Sequence, residues 1–245
     1  MSEQPEPMVA AQENDVQRAA WRALPGRLFG LLLSLDTFFV GVFLALVVLN
    51  QRRTVLFTAF DLDLEANAPS GYSAFQLFLV AIGFLVLGSR LIPERRRAAM
   101  LRPLWRVLGV GFTLIALDEV GKIHERMPIW RLRVFNVGRI DPWMTMYSVI
   151  AVVLAVLLFK QVLLAWREWR PQMMLFLLGI GVLGAGALGL EGVQIIMKWQ
   201  GPMRYFEVAA EEGLEMLGAS ILALAVYRVL SVVMTSDSES GVGPS

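Results

Sequence analysis

Apolar residues in this chain come neither at every second position nor as a stripe on one face of a helix. They come in blocks, divided by short polar segments. The block from Leu28 to Leu49 interrupts its apolar run only with Ser34, Asp36 and Thr37, and shows no polar face of the kind a soluble amphipathic helix needs. Five further blocks follow, so that six spans are expected at 28–50, 73–92, 103–123, 143–165, 173–197 and 207–233. Each is close to the roughly 20 residues that a hydrocarbon core requires. The pattern predicts an all-α integral membrane protein, a multi-pass bundle of about six transmembrane helices, with none of the spans plainly broken by proline and glycine. Three segments are expected: a polar cytoplasmic N-terminal tail (1–27), the transmembrane domain (28–233) and a disordered C-terminal tail (234–245). Segments such as MSEQPEPMVAAQEND hold too little apolar surface to offset ordering. The N-terminal tail lacks a short apolar core before a small-residue cleavage site, so no removable signal peptide is expected and the first span serves as an anchor.

Composition sharpens this picture. Hydrophobic residues make up 56% of the chain and mean hydropathy is +0.59, which points to a lipid bilayer as the principal partner. A formal net charge of +1 argues against nucleic acid. Cysteine is absent, which removes disulfides, thiolate metal sites and cysteine nucleophiles. The charge distribution orients the bundle. Arg90, Arg95, Arg96, Arg97, Arg102 and Arg106 crowd the second connection, whereas Asp61, Asp63 and Glu65 mark the first, so the positive-inside rule gives an N-in/C-in topology. Arg126, Arg131, Arg133 and Arg139 in the third connection pull against it. A plasma or bacterial inner membrane (cell membrane) is the expected location. The segments PWMTMY (142–147) and WREWRP (166–171) read as interfacial anchors.

Ionisable groups inside the spans carry the candidate chemistry. Only 11 residues separate Arg106 from Asp118. That is roughly 16 Å of helix against a core of about 30 Å, so the third span cannot cross without ALDEVGKIHER. Asp118, Lys122 and Glu125 share one face at helical spacing, which makes Lys122 an expected ion-pair partner. The fifth span runs 18 apolar or glycine residues, Met173 to Leu190, before Glu191. The sixth opens EVAAEEGLEMLG, in which Glu207, Glu211 and Glu215 form one stripe and Glu212 flanks it. The helix macrodipole accounts for Glu207 and Glu211 but fades before Glu215. Asp118, Glu119, Glu191, Glu211, Glu212 and Glu215 are therefore expected to converge towards one membrane face, with His124 as a ligand or proton relay and Arg204 or Lys198 as further cations. Groups at such depth need protons, a metal ion or salt bridges. Asp36 lies apart from them and is expected to pair with an arginine such as Arg90 or to form an inner station. Gly179, Gly181, Gly184, Gly186, Gly189 and Gly192 point to close helix packing.

Acids with one imidazole suit a divalent metal such as Mn, Fe, Mg or Ca better than zinc. The two Glu-x-x-His pairs of di-iron bundles are absent, because the chain has a single histidine. No phosphate loop, dinucleotide fingerprint or Gly-x-Ser-x-Gly element occurs. The leading expectation is an outward-facing cation-binding site, used by a metal-dependent enzyme on a lipid or interfacial substrate. The alternatives are a proton- or cation-coupled transporter with Asp36 as its inner station, and a non-catalytic subunit or assembly factor pairing with another membrane protein or a second copy of itself.

Overall fold

The computed structural model describes residues 7–64, 67–89, 96–121, 123 and 142–237, and among the described residues there are helices and no strand. The elements are α1 (Pro7–Val48), α2 (Val55–Phe60), α3 (Ala68–Gly88), α4 (Arg96–Gly121), α5 (Pro142–Leu157), α6 (Phe159–Glu168), α7 (Arg170–Gly184), a π-helical turn (Ala185–Leu190), α8 (Glu191–Met197) and α9 (Pro202–Asp237). Five helical segments are long and apolar enough to cross a membrane: Asp15–Val48, Ala68–Gly88, Met100–Gly121, Arg170–Gln194 and Pro202–Thr235. The bent pair Thr145–Leu157 and Phe159–Glu168 makes a sixth if it counts as one span. The expected all-α multi-pass bundle is therefore what the chain forms.

The most buried span is α9, which packs against α1, α3 and α7, while α3 lies along α4. Small residues let these helices close up, because helix association in lipid relies on van der Waals packing. A Cβ at Gly179 would lie 2.8 Å from Leu222 Cγ, and one at Gly218 would lie 2.5 Å from the Leu183 nitrogen. Of the glycines in the fifth predicted span, Gly179 and Gly186 face α9 closely, whereas Gly181, Gly184 and Gly192 have nothing near them. Around Phe84, Trp105 and Phe112 stack at 5.7 and 5.8 Å, and Phe176 meets it edge-on at 5.7 Å.

Asn67 caps α3, accepting from the Ser70 backbone while the Ser70 hydroxyl accepts from the Asn67 N–H at 3.1 Å, a reciprocal box that fixes where the second span begins. Thr54 caps α2 in the same way through the Phe57 N–H. The short α2 folds back so that Phe57 rests on Phe43 and Tyr205, tying the first connection to the start of α9.

Three expectations are corrected here. Helix α1 begins at Pro7, so much of the polar N-terminal tail is an extension of the first span, and the disorder expected of residues 1–15 does not hold for residues 7–15. The fourth expected span is not one straight helix: α5 and α6 meet at 70° across Leu158, with neither proline nor glycine at the junction. The break falls where the wholly apolar pattern of α5 gives way to Lys160, Arg167 and Glu168. The bend lets Lys160 stay exposed while Ala165 packs fully inside. The anchors PWMTMY and WREWRP also do more than anchor. Trp169, between α6 and α7, lies 5.9 Å from the buried Trp105, and Tyr147 bonds to an acid on α4.

Candidate carboxylate site

The first turns of α9 carry the acids. Glu207 is buried at 5% exposure, and its Oε2 accepts from Arg204 one turn earlier. The same guanidinium reaches Asp63 Oδ1 in the first connection at 2.6 Å and also feels Glu211. The macrodipole account of Glu207 is therefore incomplete: a specific ion pair holds it, although its Oε1 is buried with no partner among the described residues. Arg204, expected as one of two spare cations, is the one that pairs.

One turn further along α9 lie Glu211, Glu212 and Glu215. The charges that bear on Glu212 are the carboxylates of Glu215, Glu119, Glu211 and Asp63. The structure thus brings together Glu119 of α4, Glu211, Glu212 and Glu215 of α9, and Asp63 of the first connection, a residue that sequence reasoning used only as a topology marker. The π-helical turn presses on this segment: a Cβ at Gly186 would lie 2.7 Å from the Glu211 carbonyl oxygen and 2.8 Å from Glu215 Cγ. Asp118, 7% exposed, accepts a hydrogen bond of 2.6 Å from Tyr147 of α5. No group of three or more His, Asp or Glu among the described residues is arranged to hold a metal ion. Lys122, His124 and Glu125, and the side chain of Glu191, lie outside the described residues.

Asp36 belongs to a separate node between α1, α3 and α9. Its Oδ1 accepts from the Tyr72 hydroxyl at 2.7 Å and from Gln76 Nε2 at 2.8 Å, and its Oδ2 accepts from the Ser220 hydroxyl at 2.8 Å. The expected arginine partner is replaced by three neutral donors; Arg90 itself lies outside the described residues. Magnitudes show why neutral donors suffice. An aspartate at the centre of a span costs about 2.5–3.5 kcal/mol on insertion scales. Hydrogen bonds to a charged group return about 1.5–3 kcal/mol each. Nor is the node far from the α9 acids: a Cβ at Gly213, beside Glu212, would lie 3.4 Å from Cγ2 of Val40, one turn from Asp36. Tyr72 and Gln76 open α3 four residues apart, a polar pair on one face of an apolar span, which is the signal sequence reasoning passed over.

Fold and site together define a multi-pass membrane protein with acidic residues set among its helices. The chain belongs to the family described as Domain of unknown function (DUF8692), whose model matches residues 31–230, a stretch that takes in every acid named here from Asp36 to Glu215. No curated protein and no solved structure matches it.

Proposed function

We propose that this protein is a proton- or cation-coupled membrane transporter, with Glu119, Glu211, Glu212 and Glu215 as the binding station that faces the outside. One observation carries this reading: the π-helical turn that interrupts an otherwise α-helical span meets the acids of α9. The bent α5–α6 pair supplies Tyr147 to Asp118, and the π-helical turn backs onto Glu211 and Glu215. Irregular backbone at membrane depth is tolerated where it is buried in protein or lines a cavity. Interrupted spans beside ionisable groups are how many carriers build their binding sites, and π-turns recur at functional positions. The expectation that no span is plainly broken by proline and glycine weighed against transport; the 70° bend at Leu158 is an irregularity that arises without either residue.

Carboxylates take protons, and hard cations such as Mn, Fe, Mg or Ca are those their oxygens suit, although no three acids among the described residues are arranged around one ion. The test is proton movement in proteoliposomes carrying an entrapped pH dye, driven by a potassium diffusion potential, with and without external manganese, magnesium or calcium. Wild type should acidify or alkalinise the lumen well above empty vesicles, and Glu212→Gln should abolish most of the difference. Silence under all conditions refutes coupling. Stoichiometric metal in the purified protein, lost in Glu215→Gln, would turn the reading to a metal-dependent enzyme acting on a lipid or interfacial substrate.

A further inference from the structure

The Asp36 node holds more acceptors than hydrogens. Tyr72 has one hydroxyl hydrogen yet lies 2.7 Å from Asp36 Oδ1 and 2.8 Å from the Leu32 carbonyl oxygen. Gln76 Nε2 has two hydrogens yet lies within reach of Asp36 Oδ1, the Ser220 hydroxyl at 2.8 Å and the Met216 carbonyl oxygen at 3.2 Å. The Gln76 side chain is fully buried, and its Oε1 has no donor among the described residues. Six contacts share four hydrogens, one from Tyr72, two from Gln76 and one from Ser220, so the node has room for a further hydrogen.

A proton on Asp36 supplies it without moving the backbone. With Asp36 ionised, the Tyr72 hydrogen points to Oδ1. With Oδ1 protonated, that oxygen becomes the donor to the Tyr72 oxygen, and the Tyr72 hydrogen turns to the Leu32 carbonyl, which has a second lone pair to offer. The heavy-atom positions serve both states, and protonation fills the Tyr72–Leu32 contact that the ionised state leaves without a hydrogen. We propose that Asp36, Tyr72, Gln76 and Ser220 form a buried proton-exchange site, in which Asp36 takes up and releases a proton while only hydroxyl hydrogens rotate. The proposal rests on the cation-coupled reading above, and it names the proton as the coupled ion and Asp36 as its station inside the bundle.

The neighbourhood permits exchange. On α1 itself no other titratable residue occurs between Arg27 and Arg52. From α3 the one titratable group at the node is Tyr72; from α9 Ser220 and the Met216 carbonyl face it, and the nearest charges on that helix are Glu215 and Glu212, in the turns towards its start. From α2, Phe60 lies against Phe38 and Phe39, with Asp61 following it in the chain. No cation among the described residues pairs with Asp36, so adding or removing a proton breaks no salt bridge.

Infrared difference spectroscopy of the full chain in lipid nanodiscs, with aspartate carboxyls isotopically labelled, tests this directly. Across the pH range in which the protein stays folded, wild type should show a reversible carboxylic-acid carbonyl band, with the amide I band unchanged. The band should vanish in Asp36→Asn and be retained in Glu212→Gln. In Tyr72→Phe, which keeps the ring, both its frequency and its titration midpoint should shift; this variant keeps the proposal falsifiable should Asp36→Asn fail to fold. A band identical in wild type, Asp36→Asn and Tyr72→Phe, no titrating aspartate band at all, or a titration accompanied by amide I changes overturns the proposal. Proton flux without this band sinks the Asp36 site alone; the band without flux sinks the transport reading and leaves the site standing.

Discussion

Alanine at Gly218 tests how the bundle is held together. The new methyl carbon would lie 2.5 Å from the Leu183 nitrogen, 2.6 Å from its Cβ and 2.7 Å from its Cα. Ordinary carbon contacts lie at about 3.5–4.0 Å, so α7 and α9 must part by roughly 1 Å. Because two of the three atoms are backbone, no side-chain rotation relieves the clash. The cost should fall in the upper part of the overpacking range, about 2–3 kcal/mol. Alanine regains about 0.8–1 kcal/mol of helix propensity over glycine. The net expectation is destabilisation by about 1–2 kcal/mol. Gly181→Ala provides the internal control: nothing lies within 4 Å of its Cβ, so only the propensity gain remains and the variant should be as stable as wild type or up to about 1 kcal/mol more so. Reversible unfolding from mixed micelles by increasing dodecyl sulfate, followed by circular dichroism, would measure both. If Gly218→Ala and Gly181→Ala move stability in the same direction, close approach at Leu183 does not hold these helices together and the packing argument fails.

Other consequences follow from the charges. Glu212→Gln should stabilise the protein in the same assay, by about 1 kcal/mol, because it removes one of several like charges in partial burial; a loss of stability would mean that Glu212 is held by a cation. Arg204→Ala should destabilise by about 1–3 kcal/mol, below the full cost of breaking a buried pair because the arginine is itself 31% exposed, and Asp63→Ala should cost less than about 1 kcal/mol; equal effects would contradict the assignment of Glu207 as the main partner. Burial holds the Asp61 carboxyl in the first connection above its ordinary range. The folded loop therefore binds that proton more tightly than the unfolded chain, and the associated stability is lost as pH rises above about 4 through the raised value. Hydrogen exchange of residues 55–64 should quicken over that interval beyond the intrinsic pH effect, and Asp61→Asn should flatten the change.

A multi-pass helical membrane protein was legible in the chain alone, with the five long apolar spans located to within about five residues at every end but the start of the first. The reason is local: an apolar run long enough to cross a bilayer has no other place to go, and the helix satisfies its backbone from within. The acids at 207–215 were visible for the same reason, since four glutamates opening an apolar helix stand out in one dimension. Only the tertiary structure decided what those groups meet. Asp36 depends on residues 36, 40 and 184 positions away, and no spacing rule links Tyr72, Gln76 and Ser220 to it. Asp63 and Glu119 join the α9 acids from a folded-back connection and from the last turns of α4. The bend at Leu158 and the π-turn at Ala185–Leu190 carry no proline signal, so they follow from how the neighbouring helices pack. Gly179 and Gly181 are the same residue type two positions apart, but one abuts α9 and the other has open space, a difference set by which face of α7 turns inward.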